Sequence, residues 1–504
     1  MGTLTAVFGL IFLLQVSFSI QKSTTEDPYY VAAVVEFAPF KERNCDLCLL
    51  TLAQEFERFI KHPNASQVDI MVFPEYILQE LAFTFVPSAE EKVIPCEQLD
   101  YDYLLTELSC YARTYQKYLV VNVNEKAVCK EGPKCKNGLT EFITNVVFDR
   151  KGMVISRYRK THYFFSEYEK GVLPKPEIST FTTDFGVTFG HLICYDLLFY
   201  SPGQALVDQG ITDIIYPNYW FQEFPFLSSL QLHQGFAHAN DINFLTAGAS
   251  APHTQTTGSG IFAGKWGALD QVISEDPDRK MLVAKVPKKN ANFKPNPIST
   301  SPRYDPLELQ ARKERIAWKR DANVDHFTTE ILETTKSRIN KKLCHNDFCC
   351  KFDIEMERID RSGSYLQGYT YRLAAYEGPG TLHRVEKGEF GICAVIACTN
   401  NKLFSCGTVF PKDVPHVAND FYFKKINIKG AYTKKDKMIV MPSTVNFAFE
   451  PLPADSYKYS KDVSGNVVNF DMTLTKVRSD LLTFGLYGNY YVEKKVKHNV
   501  RDEL

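Results

Sequence analysis

The chain carries almost no excess of charge of either sign. Across 504 residues, 58 Lys and Arg stand against 59 Asp and Glu, a formal net charge of −1. That balance supplies no basic field to gather nucleic acid or an acidic lipid surface, so no polyanion partner is expected. Long apolar runs are also missing after Ile20, and nothing beyond that point is long and apolar enough to span a bilayer. Internal repeats are absent. With 44% hydrophobic and 23% charged residues, the composition is that of a folded globular protein and not of a disordered chain. The length exceeds what one compact core accommodates and predicts two or three domains.

What stands at the N-terminus reads as a leader. Leu4 to Ile20 is almost entirely apolar, Ser17, Ser19 and Ser23 mark its end, and basic stop-transfer flanks are lacking. Residues 1–20 are therefore expected to be a cleaved signal peptide. The chain ends Arg501-Asp502-Glu503-Leu504, one residue away from the Lys-Asp-Glu-Leu retrieval tag. Residues 501–504 thus predict capture by a retrieval receptor in the endoplasmic reticulum; read as a merely charged tail, they predict secretion. Lys494 to Leu504 is polar, so no lipid or other stable membrane anchor is expected.

Entry into the secretory pathway changes what cysteine means, because its lumen is oxidising. The 13 cysteines are odd in number, which leaves at least one without an intramolecular partner. If Cys194 is free, enough remain for six bridges. Cys129 and Cys135, on either side of a short Gly-Pro-Lys loop, are natural mates. Leu343 to Cys350 has the look of a zinc cluster, but disulfides are the expectation in this compartment. Asn64-Ala65-Ser66 is the one glycosylation sequon, just after a predicted helix.

From residue 28 to 287, strand-like and helix-like segments alternate. Tyr30 to Phe37 and Val68 to Phe73 suit buried strands. Asp46 to Ile60 has apolar residues at helical spacing. Ile143 to Phe148 and Met153 to Tyr158, joined by Asp149-Arg150-Lys151-Gly152, predict a hairpin. Phe185 to Ile193 and Thr212 to Tyr216 add strands, and Leu227 to Asp241 a helix. Such alternation with hairpins predicts an α/β layer architecture with a mixed sheet. Residues 288–325 include four prolines (Pro295, Pro297, Pro302 and Pro306) and read as a linker or crossover arm, with a short charged helix at Leu307 to Trp318. Residues 326–500 turn to short strands divided by Gly, Asn and Lys turns, a smaller β-rich domain holding six of the cysteines.

Three residues at predicted strand ends have chemistry to offer. Cys194 leaves an apolar run, and a cysteine where a strand turns into a helix exposes its sulfur and backbone N–H together. A helix N-terminus there would lower the thiol pKa. Glu75 ends Val72-Phe73-Pro74-Glu75, where desolvation raises a carboxyl pKa and makes a usable base or acid. Lys160 closes Arg157-Tyr158-Arg159-Lys160 and is placed to hold positive charge beside a developing oxyanion. Alone, each has an ordinary reading: a structural thiol, a solvated carboxylate, a wet basic face. Their order, at intervals of 85 and 34 residues, is far more specific.

Phe73-Pro74-Glu75, Tyr158-Arg159-Lys160 and Gly190-His191-Leu192-Ile193-Cys194-Tyr195-Asp196 resemble the nitrilase, or carbon–nitrogen hydrolase, superfamily. Thr257-Gly258-Ser259-Gly260-Ile261, Cys344 to Cys350, Ile392-Cys393 with Cys398, and Leu482 to Gly488 resemble its vanin and biotinidase branch. The resemblance covers nearly the whole mature chain. It implies a nitrilase-like α-β-β-α sandwich followed by a smaller β-rich domain. It implies Cys194 as nucleophile, Glu75 as general base, and Lys160 with the Tyr195 backbone N–H as oxyanion stabilisers. Glu167, with Glu169 close by, fits the superfamily's second glutamate. Trp220 is either a pocket wall or a packed core aromatic. No metal or organic cofactor is required, and the partner is a small linear amide: pantetheine, cleaved to pantothenate and cysteamine, or a biotinyl amide. Two rivals stand beside this reading. One is a Cys–His protease using His162, His191, His233 or His238; the other is a catalytically silent lumenal binding protein on the same fold. The sequence does not decide oligomeric state.

Overall fold

Tyr29–Phe37 is apolar at nearly every position, and a strand of that kind needs cover on both faces. Successive side chains leave a strand in opposite directions. Tyr30, Ala32 and Val34 accordingly enter a core shared with Phe189, Ile215, Leu245 and Ile261 of a second sheet. Val31, Ala33, Val35 and Phe37 pack instead with Leu52 and Phe56 of helix Cys48–Ile60 and Leu104 and Leu108 of helix Tyr103–Tyr115. One strand thus defines two interfaces, helix on sheet and sheet on sheet.

The computed structural model describes residues 22–491, except 40–47, 76–82, 166, 168, 169, 172, 174, 302, 303, 305, 360–366, 384, 385, 412 and 415–417. The leader over 1–20, the tail over 494–504 and Glu169 lie outside the described residues. The first sheet has seven strands, ordered Arg279–Pro287, Tyr29–Phe37, Ile70–Val72, Tyr118–Val128, Leu139–Phe148 and Val154–Arg159, with Phe83–Phe85 beside Tyr118–Val128. Its central pairings are parallel and its hairpins antiparallel, the mixed arrangement expected. The six-stranded second sheet centres on the parallel strands Thr188–His191, Asp213–Asn218 and Asn243–Gly248. Helix Ser229–Asn240 covers its outer face, completing the α-β-β-α sandwich.

The strand expected over Phe185 to Ile193 is shorter, Thr188–His191. Gly186 takes φ +78° in the turn of a hairpin with Thr180–Thr182, and that turn uses up the first three residues.

Beyond Pro287 no regular element forms until helix Pro306–Arg315. Two antiparallel five-stranded sheets follow, and Cys350–Cys393 ties one to the other. Cys344–Cys349 and Cys398–Cys406 close within this sandwich, Cys96–Cys110 and Cys129–Cys135 within the first. The cysteines of Leu343–Cys350 are therefore disulfide-bonded, as expected of an oxidising compartment. Cys48 is also disulfide-bonded, and Cys194 is the free cysteine among the described residues. No helix among them is long and apolar enough to cross a membrane.

Helix Ser229–Asn240 does not behave like an outer-layer helix. All residues from Ser229 to His238 are buried, because strand Ile439–Asn446 of the second sandwich lies across it. A Cβ at Gly235 would stand 2.6 Å from the Pro442 carbonyl oxygen, so the close approach requires glycine. Gln231 donates to Ser443 Oγ at 2.7 Å and Gln234 to the Leu452 carbonyl at 2.8 Å, which satisfies the amides that this cover buries.

Candidate active site

Glu75, Lys160 and Cys194 each follow the end of a strand. Phe73 N–H donates to the Val120 carbonyl at 2.9 Å and carries the chain out to Glu75. Lys160 N–H closes the hairpin on Ile143 O at 2.8 Å, and Leu192 N–H bonds Ile215 O at 3.1 Å just before Cys194. Two of the three groups come from the first sheet and one from the second, so they converge at one end of the sheet–sheet core.

The ammonium of Lys160 is the centre of the cluster. It donates to Glu75 Oε1 at 2.7 Å and to both carboxylate oxygens of Glu167, at 2.9 and 2.8 Å. Glu75 and Lys160 are each 1% exposed, Cys194 7% and Glu167 8%. Burial opposes the charge on Lys160, but Glu167 and Glu75 together outweigh it and hold the ammonium pKa well above its ordinary value. For Glu75 the balance falls the other way. Burial, reinforced by the negative charge of Glu167, outweighs Lys160 and raises its pKa to about 7. Among the described residues no group donates to Glu75 Oε2 with good geometry, and the Cys194 thiol approaches the carboxyl. One oxygen of the carboxyl is thus committed to the ammonium and the other is not.

Cys194 opens a short 3₁₀ segment, Cys194–Leu198, with φ +42°, a left-handed conformation rarely taken by a residue with a side chain. Asp196 holds this turn. Its carboxylate accepts from Ile193 N–H at 3.2 Å, Tyr158 OH at 2.7 Å and His162 N–H at 2.9 Å. Tyr216 OH donates to the Cys194 carbonyl at 2.7 Å, and the thiol points to the Tyr219 carbonyl, 3.6 Å away. The expectation that a helix N-terminus lowers the Cys194 pKa is overturned. Burial first, and then the Glu75 carboxylate, push the thiol well above its usual range. A five-residue turn offers too little dipole to oppose them.

Of the other expected residues, Glu167 joins the cluster and also accepts the Phe164 N–H at 2.7 Å. Tyr195 stacks edge-on with Phe164 at 5.1 Å between ring centres. Trp220 is 2% exposed with its indole N–H on the Leu227 carbonyl at 2.9 Å, and its ring faces His383 at 5.0 Å. Asn64 is exposed in the 3₁₀ turn Pro63–Ala65. The four histidines of the protease reading make other contacts: His162 with Asp196, His191 with Ser156, His233 with the rings of Tyr216 and Trp220, and His238 with Tyr457. Burial lowers the pKa of both His191 and His233 to about 3, which leaves them neutral packing groups. Sequence reasoning missed Asp196, although it stands inside the quoted motif, and Tyr216, whose strand was found without its hydroxyl. It also missed Glu223 and His383, for which no local signal exists.

The carbon–nitrogen hydrolase family model matches residues 33–242, and the vanin C-terminal domain model matches residues 316–494. Vanin-like protein 1 of Drosophila melanogaster is 37% identical, over 96% of this chain and 90% of its own length. Vanin-like protein 2 of the same species is 36% identical over 96% and 94%. Pantetheinase of Bos taurus is 27% identical over 83% and 77%. With the two family models matched in order and the two Drosophila relatives aligned over nine-tenths or more of both chains, the chain belongs to the vanin-like branch of the carbon–nitrogen hydrolase superfamily and is a hydrolase of amide C–N bonds.

Proposed function

We propose that Cys194, Glu75 and Lys160 form the catalytic triad of a pantetheinase, with Glu167 as a fourth, supporting residue. The observation that carries this reading is the buried Lys160 ammonium bridging two carboxylates beside the free Cys194. With its pKa raised, the thiol is not ionised in advance, so the uncommitted oxygen of Glu75 takes the S–H proton as sulfur attacks the amide carbonyl. The new C–S bond leaves a tetrahedral oxyanion, which Lys160 and the Tyr195 backbone N–H stabilise. Its collapse breaks the C–N bond, and Glu75 returns the proton to the departing amine. A thioester on Cys194 remains. Water then gives a proton to Glu75 and its oxygen to the acyl carbon, releasing the acid and restoring the thiol.

This scheme fixes a pH dependence. Glu75 must be ionised to accept the proton, so kcat/KM falls as pH drops through about 7. Glu167 is one cause of that high value. In Glu167→Gln the acid limb therefore moves to lower pH, whatever the change in maximal rate. The pH–rate profile of wild type and variant checks this, and a limb that stays in place assigns it to another group.

The substrate reading takes pantetheine, cleaved to pantothenate and cysteamine, over a biotinyl amide. It is supported by relatives whose names are vanin-like protein and pantetheinase. Purified protein should release cysteamine from pantetheine and leave biocytin largely intact. Preferential release of biotin, or turnover of neither amide, removes pantetheine as the substrate.

A further inference from the structure

A buried group outside the triad is brought to the site by the other half of the chain. We propose that His383, carried by the second sandwich, is a specificity-determining residue that contacts the acyl arm of the amide. The proposal rests on the reading of Cys194, Glu75 and Lys160 as the reacting centre.

His383 stands just past strand Thr370–Leu382, with φ +47° and a side chain only 7% exposed. Its ring faces Trp220 at 5.0 Å, Phe164 at 5.9 Å and Tyr195 at 6.3 Å. Each of those rings is one step from the triad. Tyr195 follows Cys194 in the chain. Trp220 follows Tyr219, whose carbonyl faces the thiol. Phe164 gives its N–H to Glu167, which in turn holds Lys160.

The placement is built from several independent contacts. Lys319–Arg320 pairs in parallel with Glu223–Phe224, and Asp321 N–H continues that pairing on the Phe224 carbonyl at 2.7 Å. Asp321 then caps Asn323, whose side chain grips Thr381 twice: Nδ2 donates to its carbonyl at 2.7 Å and Oδ1 accepts its N–H at 2.9 Å. A Cβ at Gly380 would come within 2.5 Å of Asn323 Oδ1, so the grip depends on that glycine. From the other side Tyr195 OH donates to the Leu382 carbonyl at 3.2 Å. Glu223 Oε2 lies 2.7 Å from His383 Nδ1, a close polar contact without hydrogen-bond geometry, and Nε2 is on the far edge of the ring from that carboxylate.

An imidazole held this way among aromatic faces suits an acyl arm with an apolar body and a hydroxyl or second amide along it. A bare hydrocarbon arm gains nothing from it. A buried group built to hydrogen-bond its substrate penalises the analogue that lacks the partner.

Two amides that both release cysteamine read this selectivity: pantetheine, and N-propionylcysteamine, which keeps the scissile bond and lacks the distal arm. In His383→Ala the ratio of their kcat/KM values is expected to fall roughly tenfold or more, mostly through KM for pantetheine, with partial recovery in His383→Gln. Asn323→Ala, which loosens the grip on Thr381, should move the ratio in the same direction. Equal loss on both amides, or an unchanged ratio, overturns the proposal. Wild-type protein that cleaves neither amide would instead sink the pantetheinase reading. His383 is then tested by alkylation of Cys194: relative to iodoacetamide, the bulkier N-ethylmaleimide should gain rate in His383→Ala, because a side chain that meets the acyl arm also limits access to the thiol, and an unchanged relative rate overturns the proposal.

Discussion

Lys160→Met is expected to abolish amide hydrolysis and to weaken the fold at the same time. The ammonium that would meet the oxyanion is lost, and removal of one such donor lowers kcat by about 10²–10³. The same change leaves Glu75 and Glu167 facing each other in a buried site with no cation between them. Breaking a buried pair by removing one partner costs about 3–5 kcal/mol when the remaining charge stays. Here the charge can be relieved by protonation, which gives the prediction its sign. Without Lys160 the Glu75 carboxyl pKa of the folded state rises further above that of the unfolded chain. The folded variant then binds more protons, and its stability falls as pH rises. The melting-temperature deficit of Lys160→Met should be small at pH 5 and large at pH 8. A deficit independent of pH would show that the ammonium is not what reconciles the two carboxylates.

Cys194→Ala is expected to remove activity as completely while sparing the fold. Without a nucleophile no thioester forms, and loss of such a residue costs about 10⁴–10⁶ in kcat. The thiol is small, so truncating it leaves little unfilled space. The backbone is a separate matter. At φ +42° a residue with a Cβ is strained, and glycine is not. Cys194→Gly should therefore be more stable than Cys194→Ala by about 1 kcal/mol, reversing the usual order for the two residues. Thermal or denaturant unfolding of the two inactive variants measures the difference. If the alanine variant is the more stable, the elbow at Cys194 is unstrained.

The contrast between these two variants shows where the sequence is informative. Glu75, Lys160 and Cys194 were legible through their order, at intervals of 85 and 34 residues, and its resemblance to the superfamily; the local signal, that each closes a short patterned strand, only made them candidates. The layered architecture was legible from local pattern: Tyr29–Phe37 is apolar on both faces, and only a double cover explains that. The protonation of the site was not legible in full. That Glu75 would be raised by desolvation follows from its place after a buried strand. That Cys194 would be raised and not lowered depends first on its burial between the sheets and then on the Glu75 carboxylate brought from the other sheet, neither of which a local window contains. His383 is the extreme case. Its neighbours in sequence say nothing of Trp220 or Glu223; the strand pairing of residues 319–320 with 223–224, the Asn323 grip on Thr381 and the Tyr195 hydroxyl on Leu382 bring them together.

The burial of helix Ser229–Asn240 from Ser229 through His238 has a thermodynamic consequence. Leu230, Leu232 and Phe236 of that helix belong to the same continuous apolar cluster as Met441, Phe484 and Leu486 of the second sandwich. The chain has two sandwiches by topology, but no solvent layer divides them at this boundary. Heating should therefore melt them in one calorimetric transition whose van't Hoff and measured enthalpies agree. A fragment ending before residue 319 would present the helix's outer face to water and associate through it.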